Sequence, residues 1–221
     1  MQSAKLRLAH GWTLDSGPDT SPALVRAFLR PAVKAVPSTM ARRLGFCRCT
    51  LPAEAQPGVA SRWTMTDSGL EVSLATAGVE EHDVAMELLL CLGQALWERL
   101  SEAELGVYWL LLGEEIGQGV EGEIDEQALE EKRSVFASRA HAASAGRLLR
   151  YGRASFAGTA AEYVHSLWHD VTVRAGPDYL PAPQLRRRLE LLAGWFPPDR
   201  GYRLFPSSRG AAGVSCWGRR W

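Results

Sequence analysis

The run Val79–Leu100, VEEHDVAMELLLCLGQALWERL, limits what this chain can fold into more than any other stretch. Val84, Met86, Leu88, Leu89, Leu90, Leu92, Ala95, Leu96 and Trp97 spread nearly all round a helical cylinder, which predicts a central helix packed on several sides. Glu80, Glu81 and Asp83 suit the positive end of its dipole, and Arg99 lies near the other end. Gly93 and Gln94 interrupt the apolar middle. The glycine permits close approach of another backbone, and the glutamine needs a polar partner if buried.

The flanking sequence supplies an α+β setting. Thr20–Gly45 reads as one kinked or two short helices, with Ser21 as N-cap before Pro22, a break at Pro31 and again at Pro37, and closure at Gly45. Three strands are predicted at 46–51, 60–66 and 70–76, with a hairpin turn at Asp67-Ser68-Gly69, giving a small antiparallel sheet packed on the central helix. Beyond Leu100 the pattern is helical. Ser101 and Glu104 form a capping-box signature, and long helices are predicted over 123–151, 156–174 and 183–195. The expected organisation is a single domain over 1–206, with N-terminal helices, a sheet at about 46–76 and helices from 79 to 195. A basic, aromatic tail follows at 207–221, fraying after Tyr202, Leu204 and Phe205 have packed on the domain.

The phrase LLLCLGQALWERL resembles the active-site helix of a zincin metallopeptidase of the gluzincin kind, in which a stretch such as LLHELGHALWERL carries HExxH. That motif works because two histidines four residues apart share a helix face and hold zinc, while the glutamate between them activates the bound water. In this register Leu90 and Gln94 stand where the histidines would be, and Cys91 where the glutamate would be. The third ligand of such domains comes from a later helix, similar here to FAGTAAEY; Gly158 stands in one candidate position and Glu162 in the other. The resemblance, confined to about twenty residues around the first motif, implies a zincin-like frame without a working centre. Its expected role is a catalytically inactive module that binds or scaffolds another protein or peptide, with no cofactor. A Gln94–Glu162 hydrogen bond is expected across the old site.

Two other readings stay open. Glu162, His165 and His169 fall at i, i+3 and i+7, so they project from one side of a helix, with Asp170 next door. That pattern would suit a zinc-dependent hydrolase, completed by His10, His82 or His141 if the fold brings one close. Alternatively, the chain is a helical binding module unrelated to zincins.

Other classes find little support. Twenty-five basic residues balance 25 acidic ones, so no global charge favours nucleic acid. The basic aromatic tail is too short to change that expectation. No G-x-S-x-G elbow, Walker loop or Rossmann fingerprint occurs, and acid pairs such as Glu114-Glu115 and Glu130-Glu131 read as solvated helix faces. The opening residues lack a long apolar segment and no run reaches membrane-spanning length, so the expectation is a cytoplasmic protein. Cys47, Cys49, Cys91 and Cys216 are expected to be reduced thiols.

Overall fold

The computed structural model describes residues 4–17, 20–52, 61–137, 145–169 and 176–205. The candidates Asp170, His141 and Cys216, and the tail 207–221, lie outside them.

Two short strands that carry no sequence prediction open the chain, β1 (Ala4–Arg7) and β2 (Thr13–Ser16). Between them the backbone reverses through His10 and Gly11, both at positive φ. A helical stretch follows, wound as a π-helix over Leu24–Leu29 and continuing into α1 (Arg30–Ala35), then α2 (Ser38–Leu44). Pro31 therefore does not end a helix as expected. It has no N–H to donate, and the widened turn before it, where Arg30 N bonds Val25 O, accommodates the ring. Ser21 does cap this segment, its Oγ accepting from Ala23 N at 3.2 Å. The Pro37 break and the Gly45 closure at φ 80 are both present.

Strands β3 (Cys47–Leu51), β4 (Ser61–Thr66) and β5 (Gly69–Leu74) complete a five-stranded sheet of order β1-β2-β3-β5-β4. The sheet is mixed, not antiparallel, and it begins at residue 4, not near 46. β2 pairs parallel with β3 and β3 parallel with β5, while β1 and β4 are antiparallel edges. The parallel β2–β3 pair requires a crossover, and α1 and α2 supply it. The β4–β5 hairpin turns at Asp67-Ser68 as expected. Alternation puts Cys47, Cys49 and Leu51 on the buried face beside Leu70, Val72 and Leu74.

The helical layer comprises α3 (Glu81–Trp97), α4 (Glu102–Gly117), α5 (Glu126–Ala137), α6 (Ala145–Trp168) and α7 (Ala182–Trp195). The Ser101–Glu104 capping box is formed in both directions. α3 is the central helix: it packs on β4 and β5 on one side and on α6 on the other. The predicted helices over 123–151 and 156–174 are divided differently. α5 begins at Glu126, and α6 runs unbroken through Gly152 and Ser155, where a boundary was expected. Gly152 leaves room there for the indole of Trp109 from α4, whose ring a Cβ would crowd. One apolar cluster extends from Trp12 to Phe196, and Tyr202 and Leu204 pack against it as expected. Among the described residues no helix is long and apolar enough to cross a membrane.

Candidate functional site

Helices α3 and α6 pack antiparallel, with Trp97 against Phe156, Gly93 against Ala157 and His82 against His165 in turn. At the crossing the two backbones touch: a Cβ on Gly93 would lie 2.7 Å from the Ala157 carbonyl oxygen. Only glycine lets the helices come this close.

Leu90 and Gln94, one turn apart, occupy a half-buried flank of α3. Gln94 is held by the sheet, its Oε1 accepting from Trp63 Nε1 of β4 at 2.6 Å. Arg153 of α6 stacks over the same indole at 5.5 Å and pairs with Glu98 at 3.0 Å, so Trp63 is enclosed from both helices. Cys91 faces inward, 2% exposed, and burial pushes its thiol up to about 11, which leaves it a protonated, inert side chain. Leucine, a protonated thiol and an amide already engaged by tryptophan offer no base and no grip on a cation.

Gly158 and Glu162 lie one turn apart on α6 but meet different neighbours. A Cβ on Gly158 would fall 2.0 Å from Asp125 Oδ2, so this position packs against the start of α5. Glu162 lies beside His165, Oε2 to Nδ1 at 3.4 Å. The expected Gln94–Glu162 bond is not formed: Gln94 turns to Trp63 of the sheet, while Glu162 lies more than a turn along α6 from the Gly93–Ala157 crossing, beside His165.

The histidines of α6 do gain a companion. His82, in the first turn of α3, places its Nε2 3.2 Å from Nε2 of His165, and His169 stacks on His165 at 5.2 Å between ring centres. His10 sits elsewhere, against Trp12. Among the described residues no group of three or more His, Cys, Asp or Glu is placed to hold a metal ion. Cys47 and Cys49 are buried free thiols with sulfurs 3.8 Å apart, and the hydrogen bond with Cys49, then burial, raises the Cys47 thiol well above its ordinary range.

The largest polar feature was not foreseen. Arg188 of α7, fully buried, bonds both oxygens of Glu115 from α4 and both of Glu123 from the α4–α5 loop, the shortest at 2.5 Å, and also Ser155 Oγ at 2.7 Å. Lys132 of α5, equally buried, donates to Glu123 Oε1 at 3.0 Å and to Gly122 O at 2.9 Å. Tyr151 donates to Glu123 at 2.6 Å, and Tyr108 joins through Ser155 and Thr159. Two carboxylates face one guanidinium and one ammonium, so the formal charges cancel. Burial works to raise the Glu123 carboxyl, but Arg188 and then Lys132 outweigh it and hold it down at about 2. Asp125 is adjacent; burial lifts it to about 6, and its Oδ2 has no hydrogen-bond partner.

Glu115 is thus no solvated face, although Glu114 beside it is half-exposed and pairs with Arg187. A signal was present. Tyr108, Leu111, Leu112 and Glu115 share one apolar stripe, as do Leu185, Arg188, Leu189 and Leu192, and a charge within such a stripe is either paired or mispredicted. The network is sealed from solvent and ties four helices together, which makes it architecture.

No family model, no curated protein and no solved structure matches the chain.

Proposed function

We propose that this chain is a catalytically inactive, zincin-like domain of the cytoplasm that binds another protein, taking up an extended segment alongside β4. The observation that carries this reading is the Trp63–Gln94 bond. A residue in register with a zinc ligand has become a strut between the central helix and an edge strand. Ser61 Oγ bonding Glu87 at 2.6 Å adds a second strut one strand-end away. β4 is thereby held flat against α3, while its outer edge has no strand beside it among the described residues. An edge of this kind recognises peptides through main-chain hydrogen bonds, without need of a metal. Free, buried cysteines fit a reducing compartment.

The test begins with peptides selected from a random displayed library against the full chain. Bound peptide should slow amide exchange across Ser61–Thr66 and leave the peptide intact in the presence of zinc. Protection confined to another surface, or cleavage of the peptide, would overturn the proposal. The zincin-like frame has its own check. Leu90→His, Cys91→Glu and Gln94→His together should create zinc binding in a His82→Gln background, and failure to do so would reject the frame. A metal-dependent hydrolase on Glu162, His165 and His169 is the second reading, favoured by the approach of His82 to His165.

A further inference from the structure

The start of α3 and the end of α6 meet in a constellation that the proposed function does not use. His82 lies in the first turn of α3, eight residues before Leu90 and so about 12 Å along the helix from the degenerate motif. His165 and His169 lie one turn apart at the end of α6, with His169 N still bonded to His165 O at 2.9 Å. The three ring centres form a triangle with sides of 5.2, 5.2 and 5.9 Å.

Each imidazole of the closest pair has a carboxylate beside Nδ1: Asp83 Oδ1 at 3.4 Å from His82, and Glu162 Oε2 at 3.4 Å from His165. At His82 the carboxylate favours the Nδ1–H tautomer and makes Nε2 the lone-pair nitrogen, so His165 Nε2 carries the proton between the rings. The proton of that 3.2 Å Nε2–Nε2 hydrogen bond can be exchanged for a cation, which leaves a lone pair from each ring on the ion. Two imidazole nitrogens on one tetrahedral zinc ion stand about 3.3 Å apart, given ordinary zinc–nitrogen bonds. The spacing fits. His165 is 9% exposed and its Nδ1 has no hydrogen-bond partner, while its Nε2 meets His82.

We infer that this is a binding site for a divalent transition-metal ion, zinc being the probe of choice, with Nε2 of His82 and His165 as the paired ligands and His169 as the third. Asp83 orients the His82 ring, and Glu162 lies beside that of His165. His169 is exposed and stacks on His165 at 14° between planes, so closing the site requires its ring to turn toward the ion. The half-exposed His82 gives the ion a route from solvent. Bound there, the ion clamps the first turn of the central helix to the last turn of its partner.

The test uses the full chain, stripped with a chelator and titrated with zinc by calorimetry, and with cobalt for its ligand-field spectrum. One ion per chain is expected, together with a rise in melting temperature. His82→Gln and His165→Gln should each weaken binding by at least about tenfold. His82→Gln alters a half-exposed side chain, and circular dichroism will show it folded, which separates lost binding from lost fold. His141→Gln with Cys216→Ser should bind as the parent does. The inference is overturned if the parent binds no zinc, if His82→Gln binds it undiminished, or if the ion is lost with His141 and Cys216 instead. None of these outcomes depends on peptide binding at β4.

Discussion

Gly93 of α3 and Ala157 of α6 are in backbone contact, close enough that a methyl group on Gly93 would lie 2.8 Å from the Ala157 Cα. The obstacle is main chain, which cannot rotate aside. Gly93→Ala gains helix propensity of up to about 1 kcal/mol, but forcing the helices apart costs about 1–3 kcal/mol. The net expectation is a loss of up to roughly 2 kcal/mol, read as a lower urea midpoint. A stabilised variant would show that the crossing is looser than described.

Arg188 holds two buried carboxylates at once. Arg188→Met leaves Glu115 and Glu123 without their main counter-charge in a site closed to water, and the expected loss is about 3–5 kcal/mol. The fair control removes charge on both sides: Arg188→Met with Glu115→Gln should recover part of that loss. Equal destabilisation of the single and double variants would mean that packing, not charge pairing, gives Arg188 its importance.

The two carboxyls near the α5 start respond to pH with opposite signs. Glu123 is held at about 2, below its unfolded value, so its contribution is present above roughly pH 4.5 and is lost as pH falls toward 2. Asp125 is raised to about 6, above its unfolded value, so the folded state binds the extra proton and loses stability as pH rises from about 4 through 6. Its Oδ1 accepts from Ala128 N at 3.0 Å, a cap that asparagine retains. Asp125→Asn should therefore be more stable than the parent at pH 8, by on the order of 1–2 kcal/mol, and not at pH 4. Denaturation midpoints at the two pH values decide it; a gain of the same size at both would remove the titration explanation.

Trp63 is the partner that Gln94 requires. Trp63→Phe keeps much of the ring and removes the donor, and an unsatisfied amide oxygen at a half-buried site costs about 1 kcal/mol. Gln94→Leu in the same background should restore most of the loss, since it removes the orphan. If Trp63→Phe proves neutral, water replaces the indole N–H and the strut contributes nothing.

What could be read along the chain was local. The apolar cylinder of α3, the Ser101–Glu104 capping box, the Asp67-Ser68 turn and the Ser21 cap each depend on residues within a turn or two of one another, and each is where the sequence placed it. The expectation that Gly93 marks a close approach also holds, because only a missing Cβ allows it. Tertiary structure alone decided the rest. β1 and β2 are too short to show a pattern, and parallel pairing joins residues some 35 positions apart, such as Leu14 and Cys49. Arg188 meets Glu115 across 73 residues and His82 meets His165 across 83. No periodicity encodes such meetings, because they arise when separately determined apolar faces stack and carry their polar side chains into register.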